Sequence, residues 1–93
     1  MNHKFLVHHE KDNVGVAVAD IKKGEKVKGY YLEGGKWIEL EALDDIPLGH
    51  KIALQDLSEK DLIIKYGEVI GEAVKEIKKG EHVHIHNIKS RRW

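Results

Sequence analysis

The sequence predicts an all-β domain, and three observations carry that prediction. Short β-branched and aromatic runs recur along the chain, glycines punctuate their ends, and no stretch sustains the three- and four-residue apolar spacing of a helix. At 93 residues the chain is read as one domain, 1–93, with one modest core.

Residues 4–8, Lys-Phe-Leu-Val-His, read as the first strand, and His8, His9, Glu10, Lys11, Asp12 and Asn13 as the polar turn that ends it. In the next run Val14, Val16 and Val18 share one face, the expected core face. Gly15, Ala17 and Ala19 share the other, where a backbone or a ligand can pack closely. Asp20-Ile21-Lys22-Lys23-Gly24-Glu25-Lys26-Val27 follows, with a glycine where a turn needs positive φ.

That unit recurs as Asp45-Ile46-Pro47-Leu48-Gly49-His50-Lys51-Ile52 and as Glu76-Ile77-Lys78-Lys79-Gly80-Glu81-His82-Val83. A degenerate copy runs from Asp56 to Ile63, with Lys60 at the glycine position. The first residues of the three clear copies, Asp20, Asp45 and Glu76, are offset by 25 and 31, too irregular for a solenoid. They read as equivalent corners where the chain turns into a new strand. Between the first two, residues 28–33 and 36–43 flank Gly34-Gly35 and predict a hairpin. Residues 62–66 and 69–74 supply two more strands, and Ser58-Glu59-Lys60-Asp61 offers at most a helical turn. Many short strands with glycine corners point to a compact β-barrel or β-clip.

Composition removes several functions. Lys+Arg and Asp+Glu are 16 each, so no net charge draws the chain to nucleic acid or to an anionic membrane, and only Lys89, Arg91 and Arg92 make a local basic tail. There is no cysteine, no signal-peptide pattern and no apolar run long enough to cross a bilayer, and a soluble cytoplasmic protein is the expectation. No nucleophile constellation, phosphate loop or dinucleotide fingerprint occurs. What remains is binding, or metal- and acid–base-assisted chemistry on a small polar molecule.

Residues 80–87, Gly-Glu-His-Val-His-Ile-His-Asn, carry the strongest chemical signal. As an extended strand they would line His82, His84 and His86 along one face, with Val83 and Ile85 on the other. Such a row suits a metal, an anion or acid–base chemistry, or is simply a solvated polar face. Alternate residues lie about 7 Å apart in a strand, so three rings share one ion only if the chain bends. If the corners meet in space, His50 lies beside His82, since both closely follow a corner glycine. Lys65-Tyr66-Gly67 is a second candidate, with cation and phenol on opposite faces and with Gly67 and Gly71 allowing close approach to a bound group. Asp12-Asn13 is a turn signal before it is a ligand. Trp93 beside Arg91 and Arg92 reads as a docking anchor or a disordered end.

Together, His9 with residues 12–17 (Asp-Asn-Val-Gly-Val-Ala), residues 46–54 (Ile-Pro-Leu-Gly-His-Lys-Ile-Ala-Leu), residues 64–71 (Ile-Lys-Tyr-Gly-Glu-Val-Ile-Gly) and residues 80–87 resemble the N-terminal SAF-type domain of altronate and galactarate dehydratases. Four motifs in order cover nearly the whole chain. The resemblance implies a β-clip fold and a place in a larger hydro-lyase. In single-chain members the domain precedes a large catalytic region. In two-subunit members, the sulfolactate sulfo-lyases among them, a small subunit of this size pairs with a separate large one. The ending at Trp93 resembles the two-subunit form, Asp12-Asn13-Val14 the altronate form, and the substrate stays open.

The implied chemistry is β-elimination from a 2-hydroxy acid: loss of the proton beside the carboxylate, then of a β-hydroxyl or of sulfite. The family implies a divalent metal, Fe²⁺ or Mn²⁺, to stabilise the enediolate, and a general acid. Carried onto this chain, the resemblance gives His82, His84 and His86 as metal residues, Lys65, Tyr66 and His50 as catalytic, and Lys51, His9, Asp12 and Asn13 as substrate-binding. The partners implied are a large catalytic subunit and a sugar acid or a sulfolactate-like substrate. The surface meant for that subunit, left bare, invites homodimerisation. A non-catalytic SAF module that binds a sugar or sugar acid is the alternative, and it would not need the histidine row.

Overall fold

The computed structural model describes residues 3–90; the ending at Arg91, Arg92 and Trp93 lies outside them. Among the described residues there are nine strands and no helix: β1 (Phe5–Val7), β2 (Val14–Ala17), β3 (Lys26–Tyr31), β4 (Trp37–Glu41), β5 (Lys51–Ala53), β6 (Leu62–Lys65), β7 (Glu68–Ala73), β8 (His82–Val83) and β9 (Ile88–Ser90). The fold is all-β. A six-stranded sheet runs β4-β3-β1-β2-β5-β8, and a three-stranded sheet runs β6-β7-β9. β1 pairs in parallel with β3, and every other pairing between strands is antiparallel.

The corners explain how short strands hold together. Corner residues Ile21 and Ile46 exchange backbone hydrogen bonds at 2.9 Å in both directions, and Leu57 and Ile77 do the same at 2.7 and 2.8 Å. Corners one and two therefore form one pair, and corners three and four a second. Within each pair the amide at the glycine position donates to an alanine carbonyl of the other corner: Gly24 to Ala42 and Gly49 to Ala17, Lys60 to Ala73 and Gly80 to Ala53. Each of these four alanines stands three residues before its corner's acidic residue and is buried.

All four corners take a left-handed conformation at the same place, with φ of 87° at Gly24, 88° at Gly49, 77° at Lys60 and 93° at Gly80. The copy from Asp56 is thus a full corner, and Ser58-Glu59-Lys60-Asp61 forms a turn instead of a helical one. Lys60 bears the strain that glycine avoids elsewhere.

Two buried clusters lie on the two faces of the β2–β5 ribbon. Ile52 belongs with Phe5, Val7, Ile21 and Ile46, whereas its neighbour Ala53 belongs with Leu57, Ile63, Ile77 and Val83, as alternation along a strand requires. The valine face of β2 is not a uniform core face: Val14 is buried, Val18 is 39% exposed beyond the strand end, and Gly15 and Ala17 are buried. The reason is that β2 sits between two cores and buries both of its sides. What packs on Gly15 is the ring of Phe5, which also lies across Gly29, where any Cβ would overlap it. The hairpin at Gly34-Gly35 forms as expected, with Tyr30 opposite Trp37.

Candidate functional site

The histidine site forms where corners two and four meet. β5 pairs with β8, setting Lys51 opposite Val83 and Ile52 opposite His82. This brings the His50 Nδ1 to 2.8 Å from the His82 Nε2, one ring donating to the other, with the rings stacked at 5.0 Å.

The third ring arrives by a bend that the row of alternating histidines does not reveal. Residues 80–87 are not one extended strand: β8 ends at Val83, and residues 84–87 turn back into β9. Asn87, 2% exposed, fastens this turn. Its Oδ1 accepts from the His84 amide at 3.0 Å, and its Nδ2 donates to the His82 carbonyl at 2.8 Å. The bend swings His84 onto His50, with ring centroids 4.2 Å apart, and one ring nitrogen from each of His50, His82 and His84 lies within 4.8 Å of the others. His86 stays outside this trio, exposed, with its ring 5.2 Å from that of His82.

Corner two is the one whose local chemistry frees a ring for this purpose. In the other three corners the residue after the left-handed position is acidic, and its carboxylate accepts the amide three residues back: Glu25 from Lys22, Asp61 from Ser58 and Glu81 from Lys78. Corner two replaces both partners. Pro47 has no amide hydrogen to satisfy, and His50 stands where the acid would be.

Burial and neighbouring charge disfavour protonation of two of the three rings, His82 and His84. Burial pushes the His82 imidazole below its ordinary value, and His50, His86 and His84 push the same way against Asp44, whose carboxylate accepts the His82 amide at 3.0 Å. Desolvation also lowers His84, followed by the charges of His50, Lys51 and His86. Neutral imidazole is the form that ligates metal.

Next to the trio lies a pocket of about 540 Å³ whose lining includes His84, Lys51, Lys65, Tyr66, Lys89 and Ser90 over isoleucines, with no carboxylate. Burial, and then the charge of Lys65, lowers the Lys51 ammonium. Lys65 and Tyr66 are not on opposite strand faces. β6 ends at Lys65, and Tyr66 enters the turn at φ 57°, so both line the pocket, with Lys65 Nζ 5.1 Å from the Tyr66 ring centroid. The His8 ring packs tilted against Tyr66, with centroids 4.2 Å apart.

The remaining sequence candidates hold this turn. Asp12, 6% exposed, accepts the amides of His9 at 3.2 Å, Tyr66 at 3.0 Å and Gly67 at 2.8 Å. Asn13 donates to the Leu62 carbonyl and accepts the Ile64 amide, both at 2.8 Å. His9 packs beside Gly67, with its Nδ1 accepting the Lys11 amide. The pocket lining includes none of the three. Gly71 meets the Lys89 carbonyl of β9, so its missing side chain serves strand pairing. Sequence reasoning gave no site role to His8, read as part of a turn, to Lys89, read as part of a basic tail, or to Asp44, Asn87 or Ser90. Only Asn87, a turn former closing the histidine motif, carried a local signal.

A family model described as the altronate/galactarate dehydratase SAF domain matches residues 3–91. The chain belongs to this family. It is 42% identical to the (2R)-sulfolactate sulfo-lyase subunit alpha of Chromohalobacter salexigens, each covered over its full length. It is 46% identical to the altronate dehydratase of Bacillus subtilis over 92% of this chain but only 16% of that protein. Galactarate dehydratase (L-threo-forming) of Escherichia coli matches at 41% over 85% of this chain and 14% of its own. The family is therefore one of lyases and dehydratases, in which a chain like this one is a small subunit or a domain. No helix among the described residues is long and apolar enough to cross a membrane.

Proposed function

We propose that this chain is the small subunit, or N-terminal domain, of a lyase that performs β-elimination on a 2-hydroxy acid, and that a large catalytic partner completes its active site. The observation that supports this reading most is the convergence of His50, His82 and His84 beside a pocket lined by three lysines and no carboxylate.

The donor set fits the divalent metal that the family implies. Three imidazoles, two of which, His82 and His84, resist protonation through desolvation and neighbouring positive charge, are competent ligands for Fe²⁺ or Mn²⁺, and His50, His82 and His84 would hold the ion. When bound, it supplies Lewis-acid stabilisation of charge building on the substrate carboxylate. Lys65 and Lys89 would attract the acid substrate. Lys51, whose charged form burial and Lys65 disfavour, suits removal of the adjacent proton. Tyr66 would donate to the leaving group. Asp12, Asn13 and His9 act at one remove, by fixing the turn that presents Tyr66.

The test is to purify the chain with its large partner and assay altronate, galactarate and (2R)-sulfolactate with Fe²⁺ or Mn²⁺. Turnover of one of them is expected, falling about 100-fold or more in His84→Ala. A complex that binds these acids and converts none would instead support a non-catalytic sugar-acid-binding module.

A further inference from the structure

The pocket beside the histidines draws its lysines from both sheets. Lys51 comes from β5 of the six-stranded sheet, and Lys65 and Lys89 from β6 and β9 of the three-stranded one. β6 and β9 flank β7, which places their backbones about 10 Å apart at ordinary strand spacing. Positive charge thus reaches the pocket from separated positions, not from one patch.

Little in the pocket offsets that charge. Its lining holds no carboxylate, and among the described residues the ion pair to a lining lysine is that of Glu72, 3.8 Å from Lys89 Nζ, with the lysine side chain 65% exposed. Such a pair contributes little and gives way readily to a ligand anion. Ser90 and Tyr66 add neutral hydrogen-bonding side chains to the lining, and Ile70, Ile85 and Ile88 add apolar surface. With the charged form of Lys51 disfavoured, a single carboxylate would answer one of Lys65 and Lys89 and leave the other unanswered. Two acid groups on one small molecule would answer both.

We infer that this pocket selects dianionic substrates, hydroxy acids with a second acid group such as a terminal carboxylate or a sulfonate, over monoanionic sugar acids, with Lys65 and Lys89 as specificity residues. The inference rests on the function proposed above and narrows its substrate class. Galactarate, with two carboxylates, and (2R)-sulfolactate, with a carboxylate and a sulfonate, fall in the favoured class. Altronate, with one carboxylate, does not.

The experiment is an NMR titration of the full chain with galactarate, (2R)-sulfolactate and altronate at fixed ionic strength, following the amides of Lys65, Tyr66, Lys89 and Ser90. At least one dianion is expected to shift them saturably with a dissociation constant about tenfold or more below that of altronate, the scale of one charged hydrogen bond. Lys65→Gln and Lys89→Gln, both changes at solvent-accessible side chains, should shrink that ratio, and Lys89→Arg should keep it. Altronate binding as tightly as both dianions, a ratio unmoved in both glutamine variants, or no saturable shift with any of the three overturns the inference. None of those results touches the broader proposal, which fails separately if the assembled enzyme converts no hydroxy acid.

Discussion

Corner one and corner two are partners across a near-symmetric pair of backbone bonds, yet they do different work. Both present an isoleucine to the same core, both place glycine at φ near 88°, and each sends an aspartate to cap an amide of the other, Asp20 to Leu48 at 2.9 Å and Asp45 to Lys23 at 2.8 Å. Both turns keep a backbone bond at 3.0 Å, Glu25 amide to Lys22 carbonyl and His50 amide to Pro47 carbonyl; corner one adds the Glu25 carboxylate, whereas corner two, with Pro47 and His50, lacks that side-chain bond and turns the ring toward His82. The lesson is that a repeated structural unit can free a side chain by giving up one local bond whose donor has also been removed. No buried polar side-chain atom among the described residues is left without a partner by the exchange.

The comparison is broken most severely by rebuilding corner two as corner one. Pro47→Lys with His50→Glu restores both donor and acceptor, and should cost about 100-fold or more in affinity for Co²⁺ while folding stability, measured by urea, stays level or gains about 0.5 kcal/mol. Asn87→Ala attacks the other half of the site. Removing a buried amide that serves two backbone groups should destabilise the chain by about 2 kcal/mol in urea unfolding and loosen His84 from the trio.

Smaller effects sharpen the equivalence of the corners. Lys60→Gly should stabilise by about 1 kcal/mol, and Gly24→Ala should destabilise by a similar amount, because both positions require the same left-handed backbone. Thermal melts of the two variants check this.

The corners also differ in the pH at which they weaken. Glu25 is held below its ordinary value of 4.5 by the Lys4 side chain and then the Lys22 amide, so its contribution is full above pH 4.5 and is lost as pH falls through the lower folded value. His82 and His84 are held below 6.5, so the unfolded chain takes up protons first as pH falls from there. Stability should therefore rise with pH up to about the ordinary histidine value and then level off. In His82→Ala the step near pH 6 should shrink while the step below pH 4.5 remains, as a pH series of melts would show.

Much of this was legible in the residues. The glycine pair predicts its hairpin because two adjacent left-handed positions suit few residues besides glycine, and the acidic-Ile-x-x-Gly unit predicts equivalent corners and the approach of His50 to His82. The buried alanine three residues before each corner acid was equally visible, but its use as a carbonyl acceptor for another corner is a long-range fact. The bend at residues 84–87 was hidden for a different reason: alternation describes the stretch as a strand, and only the burial of Asn87 decides that its amide folds the backbone back. Lys65 and Tyr66 were placed on opposite faces by the same rule, which fails where a strand ends and φ changes sign. Asp12-Asn13 reads first as a turn signal, and the three backbone amides on the Asp12 carboxylate agree with that reading; the substrate-binding role comes only from the resemblance.

The central claim is that His50, His82 and His84, without His86, form the site that corner two was freed to build. Cobalt titration of the full chain, followed by visible d–d absorption at pH 7.5, tests it directly. The account predicts that His86→Ala binds within about threefold of the unaltered chain, whereas His50→Ala loses about 100-fold. Equal binding by His50→Ala and the unaltered chain, or a comparable loss in His86→Ala, would contradict it.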